Sequence, residues 1–456
     1  MNGVERMKRT YVIKPELAKQ YPVVAYGKGV YLYDQAGKAY LDGCSGAVTA
    51  SIGHGVEEIA EAIHAQASLV SFAYRSHFSS DAVEELAAKL AAWAPGSVNW
   101  SFFVSSGSEA TETAQKMAIQ YWQEKGYERK NRIISRWMSY HGITMGALSM
   151  SGHVLRRKRF VPLLADYPAV QTPYPYRKPA AISDESYGRL CADELEQAIL
   201  RVGAENLAAF IAEPVAGASG GAIVPPDGYF QRIREICDKH QVLFIADEVM
   251  TGVGRTGRNF GVDHWGVVPD LMALGKGMSA GYTPMAAAMA SEEIIQTIAQ
   301  GSGSIMAGHT YSANPQSAAT SLAVLQYMEK HHLVERAARE GVYLLDQLKK
   351  LAEQFSFVGE ARGLGLLCAI ELVQDKASRE PFPLSAGIAN RVLARAFEKG
   401  LILYPAVGGL DGVAGDSIII APPLTIEKAE LDQLLALLQE TLQELEGELS
   451  KAAAKS

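Results

Sequence analysis

The sequence is poor in cysteine and shows no cysteine pattern that would bind a metal. Its 456 residues include four cysteines, and no two of them form a C-x-x-C pair. They are widely scattered: Cys44, Cys191, Cys237 and Cys368. Such a distribution favours neither a disulfide framework nor a zinc site, and it fits a reducing compartment. We therefore predict no metal centre and a cytoplasmic location.

The sequence also lacks a positive charge excess and any long uncharged apolar run. The formal net charge is -7, which leaves no basic surplus to neutralise the phosphates of a nucleic acid. Nowhere do about 18 uncharged apolar residues follow one another, and the N-terminal residues contain no apolar run of signal-peptide length. We expect neither nucleic acid nor membrane as a partner. The dense basic cluster at 156–159 is interpreted first as a solvated helix end or loop.

The apolar content is ample for a folded core of more than one domain. Hydrophobic residues make up 48% of the chain and charged residues 20%, the balance of an ordinary globular protein. A chain of this length exceeds what one core usually accommodates. We predict a larger domain over residues 61–325 and a smaller domain assembled from residues 1–60 and 326–456.

Alternating helix and strand patterns predict an α/β fold with a mostly parallel sheet. Residues 23–41 are typical of three short strands joined by glycine-bearing turns. From about residue 56, helical stretches alternate with the short apolar runs WSFFV (100–104), RIIS (132–135), AAFIA (208–212) and VLFIA (242–246). Ligands of such sheets bind beyond the carboxyl ends of the strands, so the residues after each run are the candidates.

The C-terminal part has a different pattern, which we expect to pack with the N-terminal strands. A long helical pattern covers residues 313–331. The predicted elements after a further helix are strand-like hairpin material at 359–372, a helix at 385–399, strands at 401–405 and 417–422, and a closing helix from Ile426.

Three of the apolar runs are followed by polar residues that could bind an anion or a cation. After WSFFV, the turn SSGSEATE enters a helix whose free N–H groups could bind a phosphate, although Ser106 or Ser108 could equally be an ordinary helix cap. After VLFIA come Asp247 and Glu248, buried acids that need a positive partner unless they cap the following loop. Glu213 directly follows AAFIA.

Lys276 is a lone lysine between two glycines in LMALGKGMSAG. Desolvation or neighbouring cations can lower a lysine pKa from about 10.4 until the amine becomes a nucleophile. A surface lysine that reaches solvent is the alternative. Together with a phosphate-binding turn and a buried aspartate, the lysine indicates pyridoxal phosphate, with lysine for the aldehyde and aspartate for the ring nitrogen.

The ordered series of motifs resembles the class III (ω-type) aminotransferases, which are fold type I pyridoxal-phosphate enzymes. The motifs run from YLYDQAGKAYLDG through SSGSEATE, YHG, AEPV, IADEVMTGVGRTGRNFG, PDLMALGKG and GHTYSANP to APPL, and so cover nearly the whole chain. The resemblance implies a large domain whose mostly parallel sheet is flanked by helices, and a small α+β domain from both termini. It also implies a homodimer with shared active sites, alone or within a tetramer.

The resemblance assigns cofactor roles to particular residues. Lys276 would bind the cofactor aldehyde and act in catalysis, and Asp247 would pair with the pyridinium nitrogen. The other residues implied to contact the cofactor are Ser106, Gly107 and Ser108 at the phosphate, Tyr140 and His141 at one ring face, Val249 at the other face, and Thr310, which reaches the phosphate of the neighbouring subunit. Glu213 would line the substrate side, and Arg255 of GRTG is interpreted as structural.

The predicted reaction is a ping-pong transfer of an amino group from an amine or ω-amino acid to a 2-oxo acid such as pyruvate. Many members of the family bind a substrate carboxylate with an arginine near the APPL motif, but no lysine or arginine occurs between Lys399 and Lys428. Arg75 and the 156–159 cluster are the alternative carboxylate-binding candidates. Three other functions stay open: a diaminopelargonate aminotransferase of the biotin pathway, a lyase or aminomutase on the same fold, and a non-catalytic binding module.

Overall fold

The computed structural model describes residues 11–453 and shows strands at both ends of the chain and through its middle. The strands are β1 (Val24–Lys28), β2 (Tyr31–Asp34), β3 (Ala39–Asp42), β4 (Trp100–Val104), β5 (Arg132–Arg136), β6 (Ala169–Val170), β7 (Leu207–Ala212), β8 (Leu243–Asp247), β9 (Leu271–Leu274), β10 (Ala286–Ala290), β11 (Val358–Leu364), β12 (Leu367–Asp375), β13 (Glu380–Pro381), β14 (Leu401–Ile402), β15 (Tyr404–Leu410) and β16 (Ala414–Ile420). The helices are α1 (Ser45–Val48), α2 (Glu57–Leu69), α3 (Asp81–Trp93), α4 (Gly107–Glu124), α5 (Met145–Met150), α6 (Val154–Arg157), α7 (Asp184–Val202), α8 (Tyr229–His240), α9 (Glu292–Gln300), α10 (Pro315–Lys330), α11 (Leu333–Gln354), α12 (Ile388–Glu398) and α13 (Lys428–Ala453).

The central sheet is mostly parallel, as the alternating pattern predicts. Its seven strands lie in the order β4-β10-β9-β8-β7-β5-β6. The strands from β9 to β6 pair in parallel, whereas β10 is antiparallel to both β4 and β9. β7, β8 and β9 are buried along their whole length, which explains their continuous apolar sequences. The carboxyl ends of β4, β8 and β9 therefore meet at one edge.

The N-terminal strands form the predicted antiparallel meander and are extended by a strand from the C-terminal part. β1, β2 and β3 pair in sequence, and β14 adds to β3 in parallel with Leu401 opposite Leu41. This pairing joins the two ends of the chain, as the sequence predicts. The division at residues 60 and 325 stays a prediction, and residues 1–10 and 454–456 lie outside the described residues.

The C-terminal part contains a second antiparallel sheet in the order β11-β12-β16-β15, against which α11 and α12 pack. The helix predicted at 385–399 begins later, at Ile388, because Gly387 adopts a φ of 56° after the short 3-10 turn Leu384–Ala386. The strand predicted at 401–405 is divided between β14 and β15, which belong to different sheets. The hairpin of β15 and β16 reaches α6 of the larger region.

All four cysteines are buried free thiols. Between residues 11 and 453, no helix combines the length and the apolar character needed to cross a bilayer.

Candidate active site

The polar residues that follow β4, β8 and β9 converge at one edge of the central sheet. Gly107 and Gly275 allow this approach, because a Cβ atom on Gly275 would lie 3.7 Å from the Cα of Gly107 and 3.3 Å from Cγ1 of Val249. A Cβ on Gly107 would come within 2.8 Å of the same Val249 methyl group, which leaves no room for a larger residue. Val249 packs on an apolar cluster formed by Val104, Ala110, Ala273 and Ala286.

Asp247 is a buried carboxylate fixed by a histidine. It is 3% exposed, its Oδ2 lies 2.7 Å from Nδ1 of His141, and its Oδ1 accepts a hydrogen bond from the N–H of Val249 at 3.1 Å. The His141 backbone is itself held, since its N–H donates to Ser151 Oγ at 2.8 Å and its carbonyl accepts from Thr111 Oγ1 at 2.7 Å. His141 therefore orients Asp247. Its buried Nε2 has no hydrogen-bond partner among the described residues.

Lys276 follows β9 and points its amine toward the N-terminal region. Its Nζ donates to the carbonyl of Ala47 at 2.9 Å, and its backbone adopts a φ of 41°. Burial lowers the pKa of Lys276 to about 8, although the charges of Asp247 and Glu213 act in the opposite direction. The amine is therefore neutral in an appreciable fraction of molecules near neutral pH, which a nucleophilic lysine requires.

The turn before α4 combines a helix cap with free backbone donors. Ser106 Oγ accepts from the N–H of Glu109 at 3.2 Å, and the Glu109 carboxylate accepts from the N–H of Ser105 at 2.7 Å. Ser108 Oγ accepts from the N–H of Ile143 at 3.0 Å. The capping role considered for Ser106 is therefore present. The N–H groups of the first helical turn have no acceptor within the helix, so this end of α4 can still bind a phosphate.

Glu213 fixes the backbone that carries Tyr140. Its carboxylate accepts hydrogen bonds from the N–H of Tyr140 at 3.1 Å and of Gly217 at 3.0 Å, while its carbonyl accepts from Arg136 Nη2 at 2.6 Å. Glu213 is 4% exposed, and burial raises its pKa. These contacts hold Glu213 against the backbone of Tyr140. A contact between Glu213 and a substrate stays a prediction.

The basic cluster at 156–159 is divided between two environments. The Arg156 guanidinium lies over the ring of Tyr140, with Cζ 4.4 Å from the ring centroid. Arg157 donates to the carbonyls of Leu148, Ser149 and Ser151 and thereby anchors α6. Lys158 and Arg159 are exposed. The first interpretation, a solvated helix end, therefore describes only the second half of the cluster.

Glu248 and Arg255 organise loops around the site. The Glu248 carboxylate accepts from Thr251 Oγ1 and from the N–H groups of Gly261 and Val262, both at 2.9 Å, as the loop-capping alternative predicts. Burial raises its pKa to about 7. Arg255 donates to the carbonyls of Leu366 and Pro422 and to Ser45 Oγ, so its contacts are structural.

Among the described residues, Arg75 and Thr310 make no hydrogen bond or ion pair with Asp247 or Lys276. Arg75 donates to the carbonyl of Ala307 at 2.7 Å and lies over the ring of Phe102 at 4.9 Å. Thr310 is exposed on the same loop as Ala307. Their predicted contacts with substrate and with a partner's phosphate stay predictions.

The assembled residues suit pyridoxal phosphate. The carboxylate of Asp247 at the end of β8 is buried and has no ion-paired lysine or arginine between residues 11 and 453. A lysine with a lowered pKa follows β9, and the N-terminus of α4 lies beside the ends of β8 and β9. Asp247 and the unpartnered Nε2 of His141 could receive the polar edge of a flat ring, and Gly107 and Gly275 keep side chains out of the space between the strand ends.

Several supporting residues were not found by sequence reasoning. Thr111, Ser151 and the carbonyl of Ala47 are ordinary residues whose roles arise only from the fold. Arg136 did carry a signal, because it is a charged residue directly after the apolar run RIIS and is fully buried at 1% exposure.

Comparison with known proteins assigns the whole chain to one family. Residues 14–442 match the family model described as aminotransferase class-III. The uncharacterized aminotransferase YodT of Bacillus subtilis is 52% identical, covering 97% of this chain and 99% of that one. The putrescine–pyruvate aminotransferase of Pseudomonas aeruginosa is 38% identical (92% and 90% covered), and the adenosylmethionine-8-amino-7-oxononanoate aminotransferase of Geobacter sulfurreducens is 36% identical (93% and 92% covered).

A solved structure agrees with the fold. The thermostable (S)-enantioselective omega-transaminase from Thermomicrobium roseum superposes with a TM-score of 0.89 at 39% identity, covering 96% of each chain. Since the family match, the fold and the arrangement of lysine, aspartate and helix N-terminus agree, the chain belongs to the class III aminotransferases and is a pyridoxal-phosphate-dependent transaminase of fold type I.

Proposed function

We propose that this transaminase moves an amino group from an amine or ω-amino acid to a 2-oxo acid, with pyruvate as the acceptor, by a ping-pong mechanism. The observation that carries the proposal is the convergence of Lys276, the Asp247–His141 pair and the N-terminus of α4 at one edge of the sheet. When bound there, pyridoxal phosphate supplies an electron sink for the reacting carbon of the substrate.

Lys276 has two roles in this proposal. Its Nζ would hold the cofactor through the aldehyde, and when it is not attached the same amine would move a proton at the substrate carbon. The lowered pKa of about 8 suits both roles, because the amine can accept a proton and release it near neutral pH. The Ala47 carbonyl, 2.9 Å from Nζ, can receive the amine when it is not attached.

Asp247 and His141 act on the ring nitrogen of the cofactor. The Asp247 carboxylate would accept a hydrogen bond from that nitrogen and keep it protonated, while His141 holds the carboxylate in place at 2.7 Å. Because Asp247 is buried, water screens this interaction little. Ser106, Gly107 and Ser108 would bind the phosphate, and Tyr140 and Val249 would enclose the ring.

The choice of pyruvate is supported by similarity to the putrescine–pyruvate aminotransferase of Pseudomonas aeruginosa. A second function is also supported, because the adenosylmethionine-8-amino-7-oxononanoate aminotransferase of Geobacter sulfurreducens has comparable identity and the motif GHTYSANP favours that group. S-Adenosylmethionine as the preferred amino donor would select the second function.

We also propose a homodimer with shared active sites, located in the cytoplasm. Two segments next to Thr310 carry several exposed large apolar side chains: Leu69, Val70, Phe72, Tyr74, Phe78, Met306 and Tyr311. The segments contact each other, since the rings of Phe72 and Tyr311 lie 5.9 Å apart and Arg75 bonds the carbonyl of Ala307. An apolar surface of this kind is typical of an interface between subunits, and Thr310 at its edge could reach a partner's phosphate.

The proposal is tested by a screen of amine donors with the holoenzyme. Each donor is supplied with pyruvate or 2-oxoglutarate, and alanine or glutamate formation is measured. We expect alanine from at least one simple amine. Release of carbon dioxide, or turnover without an acceptor, would instead identify a lyase or aminomutase, and the absence of any turnover together with an absent cofactor spectrum would identify a binding module.

A further inference from the structure

A transaminase that uses a 2-oxo acid must bind a carboxylate next to the reacting carbon. Binding a buried carboxylate without a cation is costly, so a lysine or arginine should face the site. The hairpin of β15 and β16 does not supply one, because the chain has no lysine or arginine between Lys399 and Lys428. Arg362 of β11 is buried and already donates to Glu371 and to the carbonyls of Gly220 and Gly221. The cation must therefore come from another element.

Most arginines around the site are already engaged. Arg136 is fully buried and donates to the Glu213 carbonyl. Arg157 donates to three backbone carbonyls, and Arg255 to two carbonyls and a serine hydroxyl. Arg75 lies against Phe102 and Ala307. None of these four guanidinium groups is free to receive a substrate without losing its present contacts.

Arg156 differs from these arginines in its partners. Its guanidinium stacks on the ring of Tyr140, 4.4 Å from the centroid, and it is half-buried. Across residues 11–453, no aspartate or glutamate lies within ion-pair distance of Arg156. Its charge nevertheless acts on the site, because it helps to lower the pKa of Lys276 and opposes the burial that raises the pKa of Tyr140. Arg156 therefore lies on the ring of Tyr140, the residue before the His141 that holds Asp247, and among the described residues it has no carboxylate partner.

The hairpin of β15 and β16 fixes the helix that carries Arg156. A Cβ on Gly408 would lie 2.3 Å from Leu155 Cδ1, and a Cβ on Gly412 would lie 2.6 Å from Val154 Cγ1. Gly408 and Gly412 also have positive φ values of 71° and 72°, which side chains rarely adopt. The glycine-rich hairpin thus packs its backbone directly on α6. Arg157 anchors the other side of α6, so Arg156 is held over Tyr140 from both directions.

We propose that Arg156 is the specificity-determining residue that binds the carboxylate of the 2-oxo acid acceptor. The proposal rests on the proposed transamination, and it makes α6 the element that selects acceptors bearing a carboxylate beside the carbonyl. A planar guanidinium can donate two parallel hydrogen bonds to such a carboxylate, while the Tyr140 ring supports its face.

The test compares two acceptors in a single half-reaction. Protein loaded with pyridoxamine 5′-phosphate is mixed with pyruvate or with propanal, an aldehyde without a carboxylate, and the change in cofactor absorbance is followed by stopped flow. In Arg156→Gln, we expect the efficiency with pyruvate, relative to that with propanal, to fall by about 10- to 100-fold. Arg156→Lys keeps the charge but loses the two-pronged geometry, so it should recover part of this ratio.

The matched control is Arg159→Gln, because Arg159 is an exposed member of the same cluster. It should leave the ratio unchanged. A second readout is the dissociation constant of propionate, measured by calorimetry on the pyridoxal-phosphate form, which should rise by a similar factor in Arg156→Gln and not in Arg159→Gln. If Arg156→Gln does not fold, the ratio in Arg156→Lys decides, since it should still be lower than in the wild type.

The possible failures are distinguishable. Equal losses with pyruvate and propanal, or an unchanged ratio together with unchanged propionate binding, would overturn the assignment of Arg156 and leave the transaminase proposal intact. A wild-type protein whose pyridoxamine form reacts with neither pyruvate, 2-oxoglutarate nor propanal would contradict the proposed function itself.

Discussion

In the proposed site, the cofactor side and the substrate side are built from different kinds of structure. The cofactor side consists of residues at the ends of β4, β8 and β9, where Asp247 and Lys276 follow buried strands. The substrate side consists of α6, which spans only Val154–Arg157, and a glycine-rich hairpin from the far end of the chain. Strand ends in a packed sheet fix side chains firmly, whereas a short helix depends on what packs against it.

This difference predicts separable effects of mutation. Changes at the strand ends should alter cofactor binding and chemistry for every substrate. Changes in α6 or in the hairpin should alter the choice of acceptor and leave the affinity for the cofactor largely unchanged.

The largest effect is expected from Lys276→Ala. Loss of the amine removes both the covalent attachment and the group that moves the proton, so turnover should fall by about 10⁴-fold. The measurement is steady-state alanine formation together with the visible cofactor spectrum. Lys116→Ala, at an exposed lysine of α4, is the control and should retain full activity.

Asp247 and Glu248 are adjacent acids with different expected roles. Asp247→Asn should lower turnover by about 10²- to 10³-fold, because a buried charge that stabilises the protonated ring is lost. Glu248→Gln should instead lower the free energy of unfolding by about 1–3 kcal/mol, because one of its carboxylate oxygens becomes a donor group facing backbone N–H groups. Equal loss of turnover in both variants would contradict the distinction; turnover and urea unfolding are measured for each.

Substitutions of Ser106 and Ser108 should also have different effects. Ser108→Ala should weaken cofactor binding by about 10-fold, because one hydroxyl to an anion is lost. Its effect on stability should be small, because water can replace Ser108 Oγ as the acceptor for the N–H of the exposed Ile143. Ser106→Ala should in addition cost about 1 kcal/mol of stability, since Ser106 caps α4 through Glu109. Cofactor titration and thermal unfolding of the two variants provide the comparison. A stability loss confined to Ser108→Ala would be the opposite of this expectation.

The hairpin can be perturbed without touching the strand ends. In Gly408→Ala the new Cβ meets Leu155, so α6 and Arg156 should move. We expect the KM for pyruvate to rise by about 3- to 10-fold, with the cofactor dissociation constant within about twofold of the wild type. Steady-state kinetics and cofactor titration test this, and a larger change in cofactor affinity than in KM would show that the two sides are not separable.

The smallest effect concerns pH. With a pKa of about 8 in place of about 10.4, the neutral fraction of Lys276 increases about fivefold between pH 7 and pH 8. The rate at which cofactor-free protein captures pyridoxal phosphate should rise by the same factor and level off above about pH 9. Stopped-flow absorbance measures the rate. A rate that keeps rising tenfold per pH unit beyond pH 9 would indicate an unperturbed lysine.

The sequence predicted the strands that border the candidate cofactor site well, because buried strands have recognisable patterns. The runs at 100–104, 208–212 and 242–246 became β4, β7 and β8, and the residues after β4 and β8 lie in the site. β10 was missed because AAAMA has weak strand propensity and becomes a strand only through pairing between β4 and β9. The strand conformation of β10 is therefore set by its neighbours in the sheet and not by its local sequence.

For the substrate side, the sequence predicted the carboxylate-binding residue only as a set of alternatives. Arg156 belonged to a basic cluster with four equally charged members, and nothing in their order shows that one stacks on Tyr140 while Arg157 anchors a turn. The contact between Lys276 and the carbonyl of Ala47 joins residues far apart in the chain and leaves no pattern in the sequence. Such contacts depend on tertiary packing alone.

The most direct test concerns Lys276, the residue proposed to hold the cofactor. Lys130 is a demanding comparison, because burial also lowers its pKa to about 8. Its amine is engaged elsewhere, since it donates to the carbonyls of Leu207 and Gln241 and lies over the Trp122 ring. Holoenzyme is reduced with sodium borohydride, digested and mapped by mass spectrometry. We expect one pyridoxyl-phosphate group per chain, attached to Lys276. Attachment to Lys130 or to no lysine would contradict the role proposed for Lys276.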